Sequence, residues 1–180
     1  MSALRRILGR VLGHGELPDG LPGRLGPEER VLAVAAAAGG GHVVVTSWGL
    51  WLPEDDGPRR VGWHLVSRAA WRDGVMTVVE AEEADVIEEG GVSAVLLTDR
   101  TPRTFRLAEP GRVPETVQQR VEGSIRSRHH RELPGGGAWF VQRRIAGRDG
   151  TRLQVRPDPG TDPGLVRGLT TDVLRRLGSR

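Results

Sequence analysis

Histidine is the first residue type to consider for catalysis or metal binding in this sequence. The chain has no cysteine and five histidines, His14, His42, His64, His129 and His130. None of them has the HExxH spacing that places two imidazoles on one face of a helix, and no thiolate is present to complete a zinc site. No serine or aspartate stands at a spacing that would make His64 the base of a nucleophile set. We therefore expect no catalytic residue, no metal, no cofactor and no enzyme activity.

Two further patterns bear on ligand chemistry. Residues 80–89 hold six carboxylates, but without the Asp-x-Asp-x-Asp-Gly order of a calcium loop. The glycines at 39–41 lack the Gly-Lys-Ser/Thr sequence of a phosphate-binding loop. We predict a solvated acidic connection at 82–91 and an ordinary turn at 39–41.

Arginine forms the strongest constellation in the chain. All 26 basic residues are arginine, and residues 91–180 hold 17 of them with nine carboxylates, whereas residues 1–90 hold nine with fourteen. A guanidinium stays charged at working pH and binds carboxylate or phosphate through two parallel hydrogen bonds. The unequal halves predict an acidic partner for the second half, self-association of unlike faces, or two solvated faces of different charge.

The candidate binding residues lie within an arginine-rich region at 100–156. They are five arginines and one aromatic residue, namely Arg103, Arg106, Arg143, Arg144, Arg152 and Trp139. Arg103 and Arg106 are three residues apart, so they should lie on opposite faces of a strand. Arg144 and Arg152 flank an Arg-Asp-Gly turn and are expected to face each other, where an anion between them would relieve their repulsion. Trp139 adds the aromatic component that nucleic-acid surfaces use for stacking.

The elements that position these residues are mostly strands. The Asp73-Gly74 pair between two β-rich runs predicts a hairpin, and Asp162 before Pro163 predicts the start of a helix. We predict strands at 30–38, 42–52, 59–67, 68–81, 92–99, 103–109, 138–147 and 151–157, and helices at 113–130 and 162–178.

The tryptophans are interpreted as core residues. The 42–52 strand is apolar on both faces at first, and Gly49 allows it to bend and change its buried face halfway. Trp48, Trp63 and Trp71 are then expected to fill the interior of a strongly bent sheet.

Three regions are predicted along the chain. Residues 1–25 form an amphipathic helix at 3–12 and a linker, residues 26–132 form a β domain, and residues 133–180 form a ββα annex that packs on it. The basic 3–12 helix is expected to dock on its own domain, with peripheral contact to an acidic membrane as the alternative. Without a signal peptide or a long apolar run, we expect a cytoplasmic protein.

Several segments resemble the bacterial pleckstrin-homology-like (PH-like) domains. The likeness rests on "LGPEERVLAVA" (25–35), "VVVTSWGLWL" (43–52) and "RRVGWHLVSRAAWRDGVMTV" (59–78), followed by one helix. Where many relatives carry an arginine, this chain has Ser47-Trp48-Gly49, so a ligand role for that arginine is not carried over.

The resemblance implies an α+β fold, with a strongly bent antiparallel sheet or barrel of about seven strands and a C-terminal capping helix. The small ββα annex is additional to that pattern. It also implies binding without catalysis. We expect a PH-like interaction module that binds a protein or an acidic surface. The alternative is a nucleic-acid-binding protein that uses the arginine-rich 100–156 face.

Overall fold

The computed structural model describes residues 17–179, so the 3–12 helix predicted from the sequence lies outside the described residues. In chain order the strands are β1 (Val31–Ala36), β2 (His42–Thr46), β3 (Gly49–Leu52), β4 (Arg59–Gly62), β5 (Val66–Arg72), β6 (Val75–Glu89), β7 (Val92–Asp99), β8 (Arg103–Arg106), β9 (Ile125–Leu133), β10 (Gly136–Arg144) and β11 (Thr151–Pro157), and the helices are α1 (Val113–Ser124) and α2 (Pro163–Gly178). The predicted α+β class is confirmed. No helix within the described range combines the length and apolarity that crossing a bilayer demands.

The chain divides into two compact units that alternate along the sequence. The first unit contains the residues up to Glu80 together with Thr101–Gly123, and the second contains Ala81–Arg100 together with the residues from Ser124 onward. Strand β6 contributes residues to both units. The predicted annex boundary at 133 is therefore wrong, because β11 pairs with β7 and β10 pairs with β9, which lie earlier in the chain.

The first unit contains seven strands or parts of strands, followed by a helix. Strands β1 to β4 form an antiparallel sheet in chain order, and β5 and β8 both pair antiparallel with the first half of β6. On α1, Val113, Val117 and Val121 recur every four residues and pack in one core with Phe105 and Leu107. The predicted count of about seven strands with a following helix is confirmed.

The second unit is a sheet covered on one face by α2. Its strand order is the second half of β6, then β7, β11, β10 and β9, with β7 and β11 parallel and the other pairs antiparallel. Val166 and Leu174 of α2 pack against Phe140 and Val155 of the sheet. The predicted cap is present, because Asp162 Oδ1 accepts a hydrogen bond from the Leu165 N–H at 2.9 Å.

The predicted continuous strand at 42–52 is instead a tight hairpin. Strands β2 and β3 pair antiparallel, with Val44 opposite Trp51 and Val45 opposite Leu50. Between them the Thr46 Oγ1 accepts hydrogen bonds from the N–H groups of Trp48 and Gly49, at 3.2 and 3.1 Å. These bonds close the turn, so the apparent change of buried face is a reversal of chain direction.

The tryptophans are only partly interior. Trp63 is buried, Trp48 is half-buried, and Trp71 is 38 % exposed, so the prediction for Trp71 was wrong. Trp71 is paired with the buried Met76, but it lies on the edge strand β5. It belongs to the second residue pair from the Asp73-Gly74 turn, near the end of the hairpin. That turn was predicted correctly.

The segment predicted as a helix at 113–130 is helical in its first part and forms a strand after that. Helix α1 ends at Ser124, and Ile125 begins β9, which pairs with β10 along its length. A two-residue turn at Pro134 and Gly135, with φ of 80° at Gly135, joins these two strands. The predicted acidic connection at 82–91 is also wrong, because its residues up to Glu89 form the second half of β6, paired with β7.

Candidate functional site

The most basic surface feature of the second unit is strand β9. It is the last strand in the sheet order and pairs with β10 alone among the described residues. Residues 128–132 are all exposed. We define the basic edge by its cationic and imidazole side chains, which are Arg126, Arg128, His129, His130 and Arg131.

Strand geometry distributes the basic edge over both faces of the sheet. Successive residues of a regular strand point to opposite faces, so Arg128 lies on one face and Arg131 on the other. Arg126 lies at a register shift, between the Ser127–Gln142 and Ile125–Arg143 pairs. Arg131 is paired in register with Ala138, which belongs to the core beneath α2. The edge therefore presents positive charge above and below the plane of the sheet.

The opposite end of the same sheet carries acidic residues, and four of them are paired with arginines of the same unit. In the second half of β6, Glu82 pairs with Arg100 at 2.9 Å, Glu83 with Arg152 at 2.8 Å, Glu89 with Arg175 at 3.2 Å, and Asp85 with Arg167. The hydrogen bond from Arg167 lowers the pKa of Asp85 below its ordinary value, and the backbone N–H of Val86 adds to the effect.

The arginines of the basic edge differ from these paired residues. Within residues 17–179, Arg126, Arg128 and Arg131 have no carboxylate at ion-pair distance. Glu132 is the single acidic residue on β9. Most of the arginines of this sheet without an ion pair in the described part of the chain therefore lie on one edge strand, and Arg144 of the neighbouring β10 is a further one.

An exposed aromatic residue lies beside the basic edge. Trp139 on β10 is 40 % exposed and is paired in register with His130. The two rings are 4.9 Å apart between centroids and tilted by 54°. The His130 Nε2 lies 2.7 Å from Asp158 Oδ2, which holds the imidazole in place. A fixed, partly apolar surface thus adjoins the arginines.

The predicted binding residues are divided between the two units. Arg103 and Arg106 belong to the first unit, whereas Arg143, Arg144, Arg152 and Trp139 belong to the second. Arg103 has a structural role, because it pairs with Glu54 at 2.5 Å and its guanidinium lies 5.1 Å from the Phe105 ring centroid. Arg106 is exposed on the opposite face of β8, as predicted.

In the second unit the predicted pairing of Arg144 with Arg152 is wrong. Six residues connect β10 and β11, and the register places Arg152 opposite Arg143, and Arg144 opposite Thr151. Arg143 is buried, with 3 % exposure, and Arg152 is already paired with Glu83. Of the four predicted residues in this unit, Arg144 and Trp139 are exposed.

The predicted site left out the arginines of β9. Arg126 and Arg128 fall within the predicted 113–130 helix, because Ile125 continues the four-residue spacing of Val117 and Val121, and Arg131 follows directly after it. The signal against a helix was present, since no apolar residue follows Ile125 until Leu133. A helix needs an apolar stripe to dock, whereas an edge strand with two solvated faces does not.

The first unit contains a buried polar cluster around Glu29, and its role is structural. The Glu29 side chain is fully buried and accepts hydrogen bonds from Thr46 Oγ1 at 2.6 Å, Trp51 Nε1 at 2.9 Å and the Gly26 N–H at 3.0 Å, and it pairs with Arg60. Burial alone would raise the pKa of Glu29, but these donors and the Arg60 charge together hold it below its ordinary value. The carboxylate therefore ties the segment before β1 to the β2–β3 hairpin.

Within residues 17–179, no group of three or more histidine and carboxylate side chains is placed to hold a metal ion. No protein-family model, curated protein or solved structure matches this chain.

Proposed function

We propose that this chain is a non-catalytic interaction module that binds an acidic protein through the basic edge of its second unit. One observation carries the proposal. Three exposed arginines on β9 lack carboxylate partners within residues 17–179, while four carboxylates at the other end of the same sheet are each paired with an arginine.

Electrostatics explains why such a strand attracts an acidic partner. Several guanidinium groups on nine residues of one strand repel one another, and carboxylates brought between them remove that repulsion. Each guanidinium also offers paired donors that match the two oxygens of a carboxylate. A concentrated patch of one sign increases the association rate with partners of the opposite sign.

The arrangement favours protein over nucleic acid. Surfaces that bind single strands combine basic groups with several aromatic side chains on which successive bases stack. Here the arginines point to both faces of the strand, and Trp139 is the one exposed aromatic residue of the described part of the second unit. Nucleic acid remains the second candidate ligand, because the exposed Trp139 beside His130 offers a ring on which a base can stack.

The PH-like resemblance is retained as part of the proposal. Seven strands or parts of strands followed by α1 in the first unit support it. In this proposal the first unit is a scaffold, in which Arg59, Arg60 and Arg103 are engaged with carboxylates.

A binding assay with matched charge variants tests the proposal. The probe is a fluorescein-labelled peptide of three Glu-Glu-Val repeats, nine residues long like β9, which places glutamates on both faces of an extended strand. Its binding is followed by fluorescence anisotropy. The edge variant is Arg126→Gln/Arg128→Gln/Arg131→Gln. The control variant loses the same charge from three exposed arginines of the first unit, as Arg106→Gln/Arg112→Gln/Arg120→Gln.

The expected outcome is a selective loss of affinity. If each exposed ion pair contributes about 0.5 kcal/mol, the edge variant should bind the peptide roughly tenfold more weakly, and the control less than about twofold. Equal losses in both variants would show that net charge alone matters, and an absence of binding to the unsubstituted protein would reject the proposal. Tighter binding of single-stranded DNA than of peptide at about 50 mM salt would favour the second candidate.

A further inference from the structure

We infer that the acidic partner binds as an added β-strand along the outer side of β9. This inference rests on the proposed function and specifies its mode and its ligand class, which is an extended acidic segment of another protein. It depends on the backbone of β9 as well as on its side chains.

The backbone of β9 is available for such pairing. In an antiparallel ladder, alternate residues direct their N–H and C=O groups toward one neighbour and the intervening residues direct theirs away. β9 spans nine residues and pairs with β10 on one side. Within residues 17–179, no turn or loop donates or accepts a backbone hydrogen bond along 125–133. About half of its backbone groups therefore point away from β10, where an incoming strand can bond to them.

The side chains of β9 select the charge of the incoming strand. Residues directly opposite each other in two paired strands lie on the same face. An added strand with glutamate or aspartate on both faces would place carboxylates beside Arg128 on one face and beside Arg131 on the other. The same positions disfavour a basic strand, since like charges opposite each other are destabilising.

Charge also argues against a second copy of this chain as the occupant. Two β9 strands paired edge to edge would bring six arginines together with two glutamates. The acidic half of β6 is the other strand of the sheet with the right sign, but Glu82, Glu83 and Asp85 are already paired with arginines of their own unit. An extended acidic segment of a different protein therefore suits this edge better than a second copy of the chain.

The surface next to β9 adds a preference for an apolar residue. His130 lies on the same face as Arg128, and Trp139 is paired with it on β10. A valine or leucine of the added strand that points to this face would cover the exposed ring edge of the pair. A strand with acidic residues on both faces and interspersed apolar residues, such as a Glu-Glu-Val repeat, therefore suits the site better than a run of acidic residues alone.

The decisive experiment changes the peptide backbone and leaves its charge unchanged. The probe is the nine-residue glutamate–valine peptide with N-methyl groups on the odd-numbered or on the even-numbered amides. A strand added to an edge uses the N–H groups of one of its two sides. We expect one methylated peptide to bind the full chain at least tenfold more weakly than the parent, and the other to bind within about twofold of it.

Hydrogen exchange gives an independent measurement on the protein. Saturating parent peptide should slow amide exchange at alternate residues of 125–133, at the positions that face away from β10. Equal binding of both methylated peptides, equal weakening of both, or unchanged exchange along 125–133 would each overturn strand addition. In those cases the edge-selective loss with the arginine variants would still support the proposed function, so the two failures are distinguishable.

Discussion

Replacing Glu29 with glutamine is the sharpest stability test that the first unit offers. The carboxylate is fully buried, and each of its oxygens accepts two hydrogen bonds, Oε1 from Thr46 and Trp51 and Oε2 from Gly26 and Arg60. A glutamine amide keeps one acceptor oxygen and places a donor where the other oxygen was. Two donors then lose their acceptor.

The size of the effect follows from those lost partners. Removing one member of a buried ion pair costs about 3–5 kcal/mol, and each unsatisfied buried donor costs about 1–3 kcal/mol. The side chain of Arg60 is 35 % exposed, so water restores part of its solvation and places the result at the low end. We expect Glu29→Gln to lower the free energy of unfolding by about 3 kcal/mol.

Urea denaturation followed by tryptophan fluorescence measures this change. Four of the five tryptophans lie in the first unit, so the signal reports its unfolding. With a denaturant slope of about 2 kcal/mol per molar urea, the midpoint should fall by about 1.5 M. The matched control is Glu28→Gln, because Glu28 is exposed and makes no ion pair within residues 17–179, and it should change stability by less than about 0.5 kcal/mol.

The pH dependence of the difference provides a second check. The pKa of Glu29 is lowered in the folded protein, so its contribution is fully present above the unfolded value of about 4.3 and is lost as pH falls through the folded value. The gap between wild type and Glu29→Gln should therefore be constant above about pH 5 and should shrink below about pH 4. Midpoints of Glu29→Gln and Glu28→Gln that coincide at neutral pH would refute the reasoning.

Three further predictions concern turns and tryptophans. Gly74→Ala should destabilise the protein by about 1 kcal/mol in urea, because Gly74 has φ of 77°, and an unchanged midpoint would contradict this. Gly26→Ala should cost about 1–3 kcal/mol and shift the fluorescence emission, because its Cβ would lie 2.3 Å from the Trp48 ring; an unaltered spectrum and stability would show that the ring moves freely. Replacing Trp71 and Trp139 with phenylalanine should remove most iodide-quenchable fluorescence, because these two are the exposed tryptophans; undiminished quenching would place the accessible rings elsewhere.

The parts of the fold that were predicted correctly depend on local chemistry. The Asp73-Gly74 turn has φ of 50° and 77°, a conformation that this pair adopts more readily than most residues. Asp162 caps α2 through an N–H three residues ahead, and Pro163 occupies the first helical position. In both cases, the conformation is determined by a few residues adjacent in sequence.

The parts that were missed depend on partners distant in sequence. Ile125 fits the spacing of α1, yet it pairs with Arg143 in the sheet, 18 residues further along the chain. The residues after it have no apolar period, because both faces of β9 are largely solvated. Residues 82–89 were likewise predicted to be a loop from their charge, whereas pairing with β7 makes them a strand.

The sequence also does not show which charged residues form ion pairs in the folded chain and which do not. The negative excess of residues 1–90 and the positive excess of residues 91–180 suggest two surfaces of opposite sign. In the folded chain, arginines at 100, 152, 167 and 175 neutralise carboxylates at 82, 83, 85 and 89, so most of that contrast cancels inside the second unit.

The charges that remain unpaired determine how strongly ligand binding should depend on salt concentration. Paired surface charges lose little when ions screen them, because each contributes about 0–1 kcal/mol. Unpaired charges that meet a ligand account for most of the salt dependence of its binding. The affinity for an acidic strand should therefore follow the three arginines of β9 instead of the overall charge of +3. Removing them should flatten the salt dependence of peptide binding, whereas removing three arginines of the first unit should leave its slope in place.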